Sequence, residues 1–102
     1  MSNRVRVLLH TLAPDEGPDG LVAAYHRISE ELSGTPGLLG NELMHSVLDP
    51  GAFVVMSEWE SLAAFRAWEE GAAHRPTTAP LRPYQDRRRQ DRYGMYEVVA
   101  RY

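Results

Sequence analysis

A chain of 102 residues with 43% apolar and 25% charged side chains has the size and composition of one small globular domain, spanning residues 1–102. A net charge of −3 argues against nucleic acid as a partner, and the absence of cysteine excludes disulfides, thiolate nucleophiles and iron–sulfur ligation. No apolar run approaches the roughly 20 residues of a membrane span, and Met1 to Arg6 lack the apolar core of a signal peptide, so a cytoplasmic protein with no membrane partner is expected.

Arg4 to Leu12 reads as a strand, with Val5, Val7 and Leu9 on one face and Arg4, Arg6, Leu8 and His10 on the other. Ala13 to Gly20 holds two prolines and two glycines and is a loop, with Asp15 or Asp19 available to cap the next helix. That helix is Leu21 to Leu32, whose Leu21, Tyr25, Ile28 and Leu32 form one apolar stripe. Ser33-Gly34-Thr35-Pro36-Gly37 ends it.

Leu38 to Leu48 is a second strand, with Leu39, Asn41, Leu43, His45 and Val47 sharing a face. Asp49-Pro50-Gly51-Ala52 is a turn, so this strand and Phe53–Trp59 form an antiparallel hairpin. In the third strand Phe53, Val55, Ser57 and Trp59 face one way, and His45 is expected to share their side. Ser61 caps a helix with Leu62, Phe65 and Trp68 as its inward stripe. Ala72 to Leu81 reads as an irregular helix broken by Pro76 and Pro80, residues 82–92 as an exposed arginine-rich loop, and Tyr93 to Tyr102 as the last strand.

Charge divides along the chain. Residues 1–74 carry four arginines against eleven acids, net −7, and residues 75–102 carry seven against three, net +4. The arginine run is short and lacks interleaved aromatics, which makes it a solvated or ion-pairing face rather than a nucleic-acid groove.

Strand, helix, strand, strand, helix, short helix, strand is the order of a split β-α-β sandwich, an α+β ferredoxin-like fold with a four-stranded antiparallel sheet. Apolar residues lie on both faces of several strands. Helices would cover one face, and a second copy of the chain, closing two sheets into a dimeric α+β barrel, would cover the other.

Trp59-Glu60-Ser61-x-x-Ala64-Phe65-x-x-Trp68, behind a Phe-Val-Val strand and ahead of His74, resembles the antibiotic biosynthesis monooxygenase family, as does Pro36-Gly37-Leu38 at the head of the second strand. The resemblance covers roughly residues 4–81 and implies a homodimer paired through the sheet face. It also implies a cofactor-independent monooxygenase of antibiotic biosynthesis, which oxidises an anthrone-type polyketide phenol to a quinone with O2 and neither metal nor flavin. In that branch a tryptophan at the strand-to-helix junction corresponds to Trp59 and a histidine on the preceding strand to His45. The positions of its asparagine and tyrosine are held here by Val55 and Phe65, and Asn41, four residues before His45 and on the same face in alternation, is a candidate replacement for the asparagine.

The expected catalytic set is therefore His45 as base, Trp59 as a stacking wall and Asn41 or a C-terminal tyrosine as donor, with Tyr25, Val55, Phe65, Trp68 and His74 around the substrate. Each has a plainer reading: His45 as a satisfied core or interface histidine, His74 as a helix-end residue, and Trp59, Trp68, Phe65 and Tyr25 as core. A haem-degrading branch has a tryptophan and a histidine in the order of Trp68 and His74, but no asparagine lies near Leu9 or Thr11. No pair of His, Asp or Glu has metal-site spacing. The same pocket would suit a polyketide cyclase or isomerase, and a non-catalytic small-molecule-binding dimer is the third reading.

Overall fold

The computed structural model describes residues 3–71, 77–91 and 93–102. Strands β1 (Val5–Leu12), β2 (Leu38–His45), β3 (Ala52–Trp59) and β4 (Tyr93–Glu97) form one antiparallel sheet in the order β2-β3-β1-β4. Helices α1 (Asp19–Leu32) and α2 (Leu62–Glu69) connect β1 to β2 and follow β3, and a 3-10 helix occupies Ala79–Tyr84. This is the ferredoxin-like α+β sandwich expected from the element order. Among the described residues no helix is long and apolar enough to cross a membrane.

Register assigns the two faces. Val5, Val7, Leu9 and Thr11 pair with Trp59, Ser57, Val55 and Phe53, and these residues lie on the face beneath the helices. From α1, Leu21, Ala24, Ile28 and Leu32 are buried at four- and three-residue steps and pack with Phe53 and Leu81. From α2, Phe65 is buried, with Trp68 half-buried beside it. The opposite face carries Leu8, Val54, Met56, Met44 and Tyr96, with Met44 41% and Tyr96 59% exposed. On that same face Arg6 Nε donates to Glu58 at 2.9 Å, and this bond holds the Glu58 carboxyl below its ordinary range.

Several boundaries differ from the sequence reading for local reasons. Asp19 lies in the first turn of α1 and makes no cap; Pro18 holds the N-cap position without a side-chain bond. β2 ends at His45 instead of Leu48, because the Ser46 hydroxyl accepts from Leu48 N and Asp49 N and bends the chain into the turn. A bulge between Leu38 and Gly40 puts Leu38 opposite Trp59 on the covered face and leaves Leu39 47% exposed. β4 stops at Glu97, with Val98 N adding one further bond to Arg4 O.

The strand-to-helix corner after β3 is locked from two sides. Ser61 Oγ accepts from Ala64 N at 3.1 Å and caps α2, as expected. Glu60 N donates to Gly37 O at 2.8 Å, joining the corner to the head of β2. Gly37 has φ +83°, and a Cβ there would collide with the Ala64 methyl. The Pro-Gly-Leu and Trp-Glu-Ser-x-x-Ala elements are thus two halves of one contact.

The arginine-rich segment is docked rather than free. Gln85 bridges to Thr11, Asp86 N donates to His10 O at 3.0 Å, and the Asp86 side chain is buried. Arg88 donates to Asp86 through its backbone N, Nε and guanidinium, and reaches Asp49 Oδ2 at 3.0 Å, so one cation ties this segment to the β2–β3 turn. The bond from Arg88 holds the Asp86 carboxyl below its usual range, against the opposing effect of burial.

Gly37→Ala is expected to destabilise the fold by about 1–3 kcal/mol, from strain at positive φ and the clash with Ala64; urea unfolding measures it. Asp86→Asn should destabilise the fold near neutral pH by removing the charge-assisted bonds that the exposed Arg88 makes to this buried carboxylate. Because the native pKa of Asp86 is depressed, its stabilisation is complete above the ordinary aspartate range and is lost as pH falls through the native value. The gap between wild type and Asp86→Asn in denaturant midpoint should accordingly shrink on acidification; a gap independent of pH would contradict the assignment.

Candidate functional site

Along the covered row of β3, Phe53 and Trp59 are buried, whereas Val55 and Ser57 between them are not fully covered. Two short side chains in mid-strand leave the helices standing off the sheet, and a cavity of about 610 Å³ opens there. Val7, Leu9, Val55, Ser57, Asn41 and Tyr93 form its floor, Tyr25, Ile28, Ser29 and Leu32 of α1 and Phe65, Trp68 and Glu69 of α2 its walls, and Thr78, Leu81, Arg82 and Gln85 one end. The size and the apolar, aromatic lining with a few polar groups match a site for a small organic molecule.

Of the side chains singled out from the sequence, Tyr25, Asn41, Val55, Phe65 and Trp68 come together around this space. Trp59 does not line it. It is 1% exposed, donates from Nε1 to Ser57 Oγ at 2.9 Å, and packs edge-on against Phe65 and tilted against Trp68 at centroid distances of 5.5 and 5.4 Å. It backs the wall that the other two present. His45 is on the expected face but opposite Phe53, beyond the cavity. Its exposed ring stacks on Phe53 at 4.3 Å, with Nε2 2.8 Å from Pro50 O. β2 is an edge strand, and its last residue lies at the turn rather than under a helix. His74 lies outside the described residues.

The polar groups are tied into the scaffold. Tyr25 donates from its hydroxyl to Asn41 O at 3.2 Å, and Ser29 Oγ lies 2.9 Å from Tyr25 O and 3.0 Å from Asn41 Oδ1. Asn41 and Ser57 are direct cross-strand partners, so their side chains stand next to each other on the cavity floor. Glu69 lines the wall, and its Oε1 lies 4.0 Å from Arg66 Nη1. Among the described residues no three His, Asp or Glu side chains gather as a metal site.

Ser29, Ser57 and Glu69 were not singled out from the sequence. Ser57 carried a signal: a small hydroxyl amid Phe53, Val55 and Trp59 on a covered face marks a place the core does not fill. Ser29 follows Tyr25 by one helical turn and therefore shares its side of α1.

Comparison with known proteins places this arrangement. Protein SchA of Streptomyces halstedii is 32% identical over 98 residues, covering 96% of this chain and 26% of its own length. The 42.8 kDa protein in the whiE locus of Streptomyces coelicolor is 35% identical over 79 residues, 78% of this chain and 20% of its own. The chain thus spans about a quarter or less of the length of these curated relatives. Among solved structures, SnoaB, a cofactor-independent oxygenase from Streptomyces nogalater, superposes with a TM-score of 0.73 at 17% identity over 100% of this chain and 96% of that one. A heme-degrading protein from Mycobacterium tuberculosis gives 0.72 at 21% identity over 100% and 98%. Both share the fold with this chain. The model of the antibiotic biosynthesis monooxygenase family matches residues 5–79, which include both halves of the Gly37–Ala64 corner and most of the cavity's walls, and the chain belongs to that family.

Proposed function

We propose that the cavity binds an aromatic polyketide-type phenol or anthrone and that O2 oxidises it there to a quinone without a cofactor. The observation that carries this reading is the cavity itself: about 610 Å³, with Phe65, Trp68 and Tyr25 in its walls, Tyr93 on its floor, and polar side chains of Ser29, Asn41, Ser57 and Glu69 among them. Flat aromatic walls suit a flat substrate. The whiE-locus relative and the SnoaB fold support the same direction.

The substrate carries most of the chemistry. Loss of a proton from the anthrone CH2 gives an electron-rich carbanion, with charge delocalised onto the ring carbonyl oxygen. One electron passes to O2, the two radicals combine, and a proton completes a hydroperoxide. Loss of the second C–H proton with cleavage of the O–O bond leaves the new carbonyl and water. The protein's part is to exclude water and to hold and orient the ring. Asn41 and Ser57 on the floor hold a substrate hydroxyl. Glu69 is the carboxylate on the wall, and we assign it the role of proton acceptor in place of His45, which stands outside the cavity. A haem reading turns on His74, which lies outside the described residues.

The apolar outer face of the sheet is the surface we assign to homodimer formation, with Leu8, Val54 and Met56 at its centre.

With an anthrone substrate and chelator present, oxygen-electrode measurements should show one O2 consumed per quinone formed. Glu69→Gln should lower kcat by about 10²–10⁴-fold, while His45→Ala leaves it unchanged. Turnover of a polyketide without oxygen uptake would favour the cyclase or isomerase reading instead. Met56→Glu should convert a dimer to a monomer in sedimentation velocity; a monomeric wild type would remove the dimer assignment.

A further inference from the structure

Ser29 sits within hydrogen-bonding distance of two acceptors, the Tyr25 carbonyl at 2.9 Å and Asn41 Oδ1 at 3.0 Å, yet a hydroxyl has one hydrogen. With Oδ1 toward Ser29, only one of the two contacts is a hydrogen bond at any moment. A half-turn of the Asn41 carboxamide exchanges Oδ1 and Nδ2 at nearly the same positions. Nδ2 then donates to Ser29 Oγ, and Ser29 donates to Tyr25 O. Both contacts become hydrogen bonds, and the Tyr25 hydroxyl still donates to the Asn41 backbone carbonyl. Among the described residues none takes the carboxamide's other terminal atom.

We infer that Ser29 is a positioning residue that holds the Asn41 carboxamide with Nδ2 toward α1 and Oδ1 toward the cavity, so that the floor presents an acceptor. Its cross-strand neighbour is the complement: Ser57 Oγ accepts from Trp59 Nε1, which leaves the Ser57 hydrogen to donate. Donor and acceptor side by side match a neutral phenol hydroxyl, which donates to Asn41 and accepts from Ser57. A phenolate would meet the Asn41 oxygen lone pairs. The site selects the protonated phenol and keeps that oxygen neutral while ionisation proceeds elsewhere on the ring. This rests on the reading of the cavity as a substrate site, but not on its oxygen chemistry.

The test uses 4-nitro-1-naphthol, whose absorbance reports its own ionisation, bound to the wild-type protein and to variants across a pH series. Burial in an apolar cavity raises the pH at which the probe ionises in every variant, so the difference between variants decides. Ser29→Ala frees the carboxamide to turn Nδ2 toward the phenolate, and the bound probe should ionise at a pH lower by about half a unit or more, roughly a threefold change in its ionisation constant. Ser29→Thr, which keeps the hydroxyl, should behave as wild type. Asn41→Leu gives an independent sign: removing an acceptor lowers the ionisation pH, whereas removing a donor would raise it. A rise in Asn41→Leu, identical profiles for wild type and Ser29→Ala, or no binding of the probe would each overturn the inference. If the variants differ as stated but no oxygen is consumed on an anthrone, the oxygenase reading fails and the inference stands.

Discussion

The structure depends on the contact between the head of β2 and the start of α2. Gly37, at positive φ, brings its backbone against the Ala64 methyl and gives its carbonyl to Glu60 N. One residue on, Ser61 caps the helix. These bonds set where α2 leaves the sheet and therefore where Phe65 and Trp68 stand. Trp59, immediately before the corner, is buried behind them and keeps both rings in place. The cavity is what remains when a rigidly placed aromatic wall faces a strand row that steps down from Trp59 to Ser57 and Val55.

The fold was legible because its signals are periodic and redundant. The alternation in β1 and β3, the four- and three-residue stripe of α1 and the Ser61 cap each point to one topology, and the elements agree with one another. Boundaries were less legible where a side chain competes with the backbone ladder: Ser46 ends β2 early, and the bulge at Leu39 exchanges the faces of neighbouring leucines. The docking of the arginine-rich segment was hidden because composition there describes solvated charge, whereas one Asp86–Arg88 pair, reaching to Asp49, decides the outcome.

The site was legible in part, for a different reason. Alternation tells which face a residue takes but not how far along the strand the helices reach. His45 and Asn41 share a face, yet four residues of an extended edge strand separate a covered position from an exposed one. Trp59 has the opposite outcome, since its large ring fills the core and leaves the lining to its neighbours. Two of the polar groups that reach the cavity, Ser29 and Ser57, are small, and their meaning depends on neighbours that only the packing brings together.

We propose that the space between the helices and the middle of the sheet, walled by Phe65 and Trp68 and floored by Asn41 and Ser57, receives the aromatic ligand. Intermolecular NOEs between the protein and an unreactive hydroxyanthraquinone test it most directly. Contacts from the ligand ring to the Trp68 indole, the Phe65 ring and the Val55 methyls are expected. Contacts confined to Leu8, Met56 and Tyr96 on the outer face, or none to the cavity residues, would contradict it.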